Sequence, residues 1–155
     1  MDAGCYPVSF VRQMSGEEPE VTLARSTTFR HPQIDRRTEA EFRFRSGATA
    51  RITCSMLSRS LVRSSGRIIG EEGTISVVNP FGPQYWHRMK VRSGQGTRVE
   101  HTTREPTYHF QLRAFCAAVL EGKPLVTPPD DAVANMEVID AVYEAAGLLP
   151  RGAGT

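Results

Sequence analysis

The sequence predicts an α+β domain built on an open, mainly antiparallel β-sheet with helices packed on one of its faces. Hydrophobic residues repeat with a period of two over the middle of the chain, which indicates strands. Helical periods occur only towards the two ends, a pattern that argues against alternating βαβ units. The turns between the expected strands are short, as they are in antiparallel sheets.

The first elements are a helix and a strand. Val8, Val11 and Met14 lie on one stripe of a helix predicted over residues 5–15. Gly16 follows as a helix-ending glycine. Residues 20–29, rich in Val and Thr, then form the first predicted strand.

A hairpin turning at Ser46-Gly47 is the clearest structural signal in the sequence. Apolar positions alternate with polar ones on both sides of this turn, so one face of the hairpin is expected to be buried. The expected buried positions are Ala40, Phe42, Phe44, Ala48, Ala50, Ile52, Cys54 and Met56. The opposite, polar face would carry Glu41, Arg43, Arg45, Thr49, Arg51, Thr53 and Ser55.

The remaining elements are four strands and two helices. Strands are predicted at 67–70, 73–78, 85–92 and 97–103. Helices are predicted over 107–121 and from Pro128 to Gly147. Their expected buried faces are Leu112, Phe115, Cys116 and Val119 in the first helix, and Ala132, Val133, Met136, Ile139, Val142, Tyr143 and Ala146 in the second.

Length and composition exclude several classes of protein. A chain of 155 residues suits a single domain, expected over 1–149, with a flexible tail at 150–155. The net charge of +2, with acids and bases interspersed, argues against a nucleic-acid partner. Without an apolar run of about 18 residues we expect no membrane association, and a cytoplasmic location. The three cysteines are expected to be buried thiols, and neither they nor the four histidines have metal-ligand spacing, so no metal site is predicted.

Several short segments, taken in their order along the chain, resemble the Gfo/Idh/MocA family of NAD(P)-dependent oxidoreductases. Asp2-Ala3-Gly4-Cys5-Tyr6 is similar to the family's D-x-G-x-[HY] segment, and Phe44-Arg45-Ser46-Gly47-Ala48 to its F-x-x-G-A hairpin. The segment at 69–75 resembles the I-x-G-x-x-G-T turn, and 108–115 one of the closing helices. The resemblance implies the family's C-terminal domain, whose fold is of the dihydrodipicolinate-reductase type.

The resemblance also implies an activity. Such enzymes transfer hydride between NAD(P) and a sugar, a dihydrodiol or a related hydroxy compound. In the full-length family, a Rossmann domain binds NAD or NADP and supplies a lysine in an E-K-P segment. This sequence contains neither, so we expect no cofactor-binding residue in this chain and no turnover by the chain alone.

Four site residues follow from the resemblance. Tyr6 stands at the general acid/base position, and Asp2 would orient the substrate or Tyr6, unless it only caps the helix. Tyr108 and Gln111 match a Y-x-x-Q opening that can reach the substrate pocket, although for Tyr108 alone a packing role is favoured over a substrate contact. A free tyrosine has a pKa of about 10, so a nearby lysine is needed to make Tyr6 a usable base. Ser9 replaces an acid of the family pattern, which speaks against a polyol substrate.

A non-catalytic role is the alternative. The polar face of the hairpin sheet would then form an oligomerisation or binding surface, and a homo-oligomer is the expected partner state. The other expected partner is a Rossmann domain that is encoded separately or missing.

Overall fold

The computed structural model describes residues 4–31, 34–55 and 64–150, whose contacts fall into two compact units. The first unit takes its described residues from Met1–Arg59 and Thr127–Thr155, and the second from Ser60–Val126. The predicted α+β class is confirmed, and every described strand pair is antiparallel. Asp2, Met56 and the tail beyond Pro150 lie outside the described residues. The single domain over 1–149 stays a prediction.

The described residues contain three helices and seven strands. The helices are α1 (Cys5–Ser15), α2 (Thr107–Glu121) and α3 (Pro129–Ala145). The strands are β1 (Glu20–Thr28), β2 (Asp35–Arg43), β3 (Thr49–Ser55), β4 (Ser65–Gly70), β5 (Gly73–Val78), β6 (Arg88–Ser93) and β7 (Gly96–Glu100). The sequence therefore located α1 and α2 to the residue and began β2 five residues too late.

The first unit is a three-stranded sheet, in the order β1-β2-β3, with α1 and α3 on one face. The predicted alternation holds in β2, where Ala40 and Phe42 are almost completely buried and Arg43 is exposed. Ala40 stands between Ala24 and Ile52 in a row across the three strands. The core is completed by Val8 from α1 and by Val138, Ile139, Val142 and Tyr143 from α3. Each large side chain buried here contributes about 1.5–3 kcal/mol.

A buried polar group joins α3 to the start of β2. The hydroxyl of Tyr143 donates to Oδ1 of Asp35 over 3.0 Å, and the hydroxyl of Thr38 donates to Oδ2 over 3.2 Å. All three residues are buried, so the carboxylate needs these donors to offset its lost hydration. Desolvation raises the pKa of Asp35, whereas the two hydrogen bonds contribute to holding it below the ordinary value. The sequence analysis missed Asp35, because it placed the start of β2 beyond it.

The second unit is a four-stranded sheet, in the order β4-β5-β6-β7, together with α2. Gly73 allows β6 to pack closely against the start of β5, since a Cβ there would lie 2.0 Å from the carbonyl oxygen of Arg92. The β5–β6 connection is held by Asn79, which has a φ of 56°. Its Nδ2 donates to the carbonyl oxygens of Gly82 and Trp86 over 2.8 and 2.7 Å.

The predicted buried faces of the two later helices are only partly right. In α3, Val133 and Met136 are 59% and 47% exposed, and Ala132 is exposed too. The first two turns of α3 meet α1 through polar side chains instead, and the apolar contact begins at Val138. In α2 none of the residues is buried, and the four predicted core positions include Phe115 at 58% exposure. Periodicity marks an apolar helix face but does not show that the face is covered.

The substitution Phe42→Ala tests the core of the first unit. We expect it to lower the free energy of unfolding by about 3–5 kcal/mol, because it opens a cavity that the sheet and helices cannot fill. Chemical denaturation followed by circular dichroism measures the change. The control is Ile69→Ala, at a side chain that is 76% exposed, with an expected change within about 0.5 kcal/mol. Equal losses for the two variants would contradict this core.

Candidate functional site

The candidate site begins with Tyr6 in the first turn of α1. Its side chain is 58% exposed, whereas Val8, two residues later, is completely buried. Two residues of an α-helix differ by about 200° around the axis, so Val8 faces the core and Tyr6 does not. The phenol is therefore open to a molecule that approaches α1 from outside the first unit.

A buried arginine anchors the last turn of the same helix. Nε and Nη2 of Arg12 donate to the two carboxylate oxygens of Glu18, each over 2.7 Å. Nη2 also lies 3.1 Å from Oδ1 of Asp131, and Nη1 donates to the Asp131 carbonyl oxygen over 3.3 Å. Only 5% of the surface of Arg12 is exposed, so these acceptors replace the water that would otherwise hydrate its guanidinium. The guanidinium thus fixes α1 against both the following loop and the first turn of α3.

An asparagine of α3 contacts the other end of α1. Nδ2 of Asn135 donates to the carbonyl oxygen of Cys5 over 3.3 Å, and its Oδ1 accepts from Nη1 of Arg12 over 3.4 Å. Asp131 lies beside Arg12 and Asn135 beside Cys5, so α1 and α3 run antiparallel at this contact. The peptide that precedes Tyr6 is therefore hydrogen-bonded to α3.

The ion pair changes the acid–base properties of its members. The hydrogen bond from Arg12 lowers the pKa of Glu18, although partial burial opposes the shift. The pKa of Arg12 is raised by the hydrogen bond to Glu18, against desolvation, and the charge of Asp131 adds to the increase. Both groups are held in their charged forms around neutral pH.

The thiol of Cys54 is unsuited to nucleophilic chemistry. Burial raises the pKa of Cys54, which lowers the fraction of reactive thiolate. Cys5 and Cys54 are half-buried, but Cys116 is exposed on α2, so the prediction of three buried thiols was wrong there. Its burial had been inferred from the apolar face of α2, which is not covered.

The predicted site residues divide between the two units. Tyr6 belongs to the first unit, whereas Tyr108 and Gln111 belong to α2 of the second. Both α2 residues are exposed, Tyr108 by 76%. Asp2 lies outside the described residues. The roles inferred for these four residues stay predictions.

The described part of the chain was also tested for other kinds of site. Residues 4–31, 34–55 and 64–150 contain no group of three or more His, Cys, Asp or Glu side chains able to hold a metal ion. No helix among them is both long and apolar enough to span a membrane. They also hold no parallel strand pair, and therefore no βαβ unit of the kind that binds a dinucleotide.

Three positions that anchor α1 are not predicted from the sequence: Arg12, Glu18 and Asn135. Their contacts reach from α1 to the loop after it and to a helix more than a hundred positions away. The acidic pair at 17–18 was a visible signal, but only of a loop. An arginine on the expected buried side of α1 was the one signal that a buried ion pair was needed.

Comparison with known proteins tests the family resemblance. Residues 1–76 match the family described as GFO/IDH/MocA C-terminal domain. Over 148 residues, the chain is 30% identical to D-xylose 1-dehydrogenase (NADP(+)) 2 from Haloferax volcanii. The resemblance to the Gfo/Idh/MocA family that the sequence predicts is confirmed. The match covers 94% of this chain and 45% of the dehydrogenase, so the chain spans less than half the length of that relative.

Solved structures agree with the fold of the family's C-terminal domain. A 3-ketoreductase from Actinomadura kijaniata, in complex with TDP-benzene and NADP, matches 93% of the chain with a TM-score of 0.79 at 20% identity. A biliverdin reductase from Synechocystis, in complex with biliverdin and NADP+, matches 94% with a TM-score of 0.69 at 18% identity. The chain covers 46% and 45% of these two structures. Both are oxidoreductases with an α+β part of this architecture.

The substitution Glu18→Gln tests, through pH, the ion pair between buried Arg12 and exposed Glu18. The pKa of Glu18 is lower in the folded chain than its ordinary value of about 4.5, so the carboxylate stabilises the fold above that value. This stability is lost as the pH falls through the lowered pKa. Glu18→Gln should therefore be less stable than the native chain at pH 7, with the difference shrinking below about pH 4.

Urea denaturation at pH 7 and pH 3 measures this difference. Glu137→Gln, on the exposed side of α3, is the control and should change stability little at either pH. A difference for Glu18→Gln that stays constant down to pH 3 would show that the carboxylate of Glu18 does not carry the effect.

Proposed function

We propose that this chain is the substrate-side domain of an oxidoreductase, in which Tyr6 serves as the general acid/base. The enzyme as a whole transfers hydride between NAD(P) and a sugar, a dihydrodiol or a related hydroxy compound. The resemblance to the family supports the reaction class. The similarity to a D-xylose dehydrogenase supports a sugar as substrate.

The main observation in support of this role is that the phenol of Tyr6 is exposed while its helix is anchored to the rest of the first unit. Proton transfer needs the phenol oxygen within about 2.6–3.2 Å of the substrate oxygen, and therefore exposed yet fixed in place. Tyr6 meets the first condition, since 58% of its side chain is exposed. Val8 in the core and Arg12 at the far end of α1 supply the second.

The proton step is simple to state. When a hydroxy compound is oxidised, its hydroxyl proton passes to the phenolate oxygen of Tyr6 as the carbon–oxygen double bond forms. In the reverse direction the phenol returns that proton to the carbonyl oxygen. The described residues include no dinucleotide site, so the hydride acceptor is supplied by another domain or chain.

The chain by itself is expected to be inactive for the same reason. The purified 155-residue chain should not reduce NAD(P) with any aldose or dihydrodiol. Binding of NAD(P) to the chain alone, measured by calorimetry, is expected to be absent as well.

The substitution Tyr6→Phe tests the acid/base role in the protein encoded by the complete reading frame that contains this chain. We expect kcat with aldoses, D-xylose among them, to fall by about 10²–10⁴-fold, because the phenol no longer moves the proton. Tyr85→Phe is the matched control, since its ring is 79% exposed in the second unit and its kcat should not change. Native turnover by Tyr6→Phe, or turnover by the 155-residue chain alone, would overturn the proposal.

A second function, association through the sheet, is favoured by the polar face of β1-β2-β3. The side chains of this face alternate in charge across the strands: Arg25 pairs with Glu39, and Glu41 with Arg51. A cavity of about 300 Å³ beside the Glu41–Arg51 pair is lined by Thr22, Glu41, Phe42, Arg43, Thr49, Ala50 and Arg51. In a dimer with a two-fold axis, the positive side chains of this face in one copy can lie opposite the negative side chains in the other copy.

Sedimentation tests this association. The native chain is expected to sediment as a dimer at micromolar concentration, and Arg43→Glu as a monomer, because the reversed charge breaks the alternation. Arg98→Glu, in the second unit, is the charge-matched control and should leave the dimer intact. A monomeric native chain would remove the second function.

A further inference from the structure

We propose that Asn135 is the positioning residue for Tyr6: its side-chain amide holds the first turn of α1 and thereby sets the direction of the phenol. The role rests on the proposed function of Tyr6. It assigns part of that function to α3, a helix that carries none of the predicted catalytic or substrate-binding residues.

The contacts of Asn135 allow only one orientation of its amide. The guanidinium of Arg12 only donates hydrogen bonds, and the carbonyl of Cys5 only accepts them. The Oδ1 of Asn135 must therefore face Arg12, at 3.4 Å, and its Nδ2 must face Cys5, at 3.3 Å. No other assignment of the two atoms satisfies both neighbours.

Arg12 makes this orientation rigid. It is buried, and its other donors are taken by Glu18 and by the carboxylate and carbonyl of Asp131. The guanidinium therefore cannot rotate to follow a displaced asparagine without breaking an ion pair. The chain of contacts runs from the ion pair through Asn135 to the carbonyl of Cys5.

The last of these contacts, the hydrogen bond to the carbonyl of Cys5, lies beside Tyr6. The carbonyl of Cys5 is part of the peptide that continues into the nitrogen of Tyr6, so a shift of that peptide tilts the Cα–Cβ bond of Tyr6. Helix ends fray more readily than helix centres, and Gly4 supplies no side-chain cap at this end. Asn135 holds this end of the helix from outside, through the carbonyl of Cys5.

The substitution Asn135→Asp separates the two hydrogen bonds of this residue. The carboxylate still accepts from Arg12, but it cannot donate to the carbonyl of Cys5 and repels it. The matched control is Gln95→Glu, the same amide-to-carboxylate change at an exposed turn of the second unit. Asn135→Ser, too short to reach Cys5, is the second variant in case the aspartate prevents folding.

The first readout uses the chain as it stands, with isotope-labelled tyrosine. Its four tyrosines give separate ring signals in an NMR spectrum. We expect Asn135→Asp to move the signals of Tyr6 and to leave those of Tyr85 and of the buried Tyr143 in place. Unmoved Tyr6 signals in a folded variant would overturn the positioning role, even if the variant melts at a lower temperature.

The second readout is a double-mutant cycle in the protein encoded by the complete reading frame. Asn135→Asp should lower kcat by about 10–100-fold with Tyr6 present, and should have no further effect in a Tyr6→Phe background. A merely structural residue lowers kcat equally in both backgrounds, and that result would overturn the inference.

The two proposals fail in distinguishable ways. If Tyr6→Phe keeps native kcat while Asn135→Asp moves the Tyr6 signals, the acid/base role is wrong and the positioning stands. If Tyr6→Phe abolishes turnover while Asn135→Asp changes neither the signals nor kcat, the positioning is wrong and the acid/base role stands.

Discussion

The buried guanidinium of Arg12 is the interaction on which the placement of α1 depends. An arginine with 5% exposure is tolerated only where its donors meet acceptors, because its desolvation costs several kcal/mol. Glu18 and Asp131 supply those acceptors from two different elements. Paired burial of this kind adds little net stability compared with an apolar contact. Its effect is to restrict α1 to one position along its axis relative to α3, whereas apolar contacts alone permit several such positions.

As a result, the two ends of α1 are held by different kinds of contact. The last turn of the helix is held by charge, and its middle by Val8 in a core shared with Phe42 and Tyr143. The first turn has no side-chain cap from Gly4, and Asn135 ties its Cys5 carbonyl to α3. A helix held at one end and adjusted at the other can present a side chain in a defined direction. That arrangement suits a residue whose oxygen must meet a substrate atom.

The sequence predicted what depends on neighbouring residues and missed what depends on distant ones. Period-two alternation gave the buried face of Ala40 and Phe42, and a single glycine gave the end of α1 at its correct residue. The contacts of Arg12 with Asp131 and of Asn135 with Cys5 could not be predicted, because both join segments more than a hundred positions apart. The same limit explains why the predicted burial of α2 was wrong. The apolar face of the helix is visible in the sequence, but whether another element covers that face depends on the fold.

The exposure of Tyr6 also sets a condition on the chemistry. A phenol that is 58% exposed shares its protons with bulk water, and proton transfer to a bound substrate gains from the exclusion of that water. The sheet and the apolar half of α3 occupy the side of Val8. If Tyr6 is the general acid/base, a second surface must close over it during the reaction. A surface that also carried the dinucleotide would meet both needs at once, because the hydride acceptor and the proton acceptor must reach the same carbon–oxygen bond.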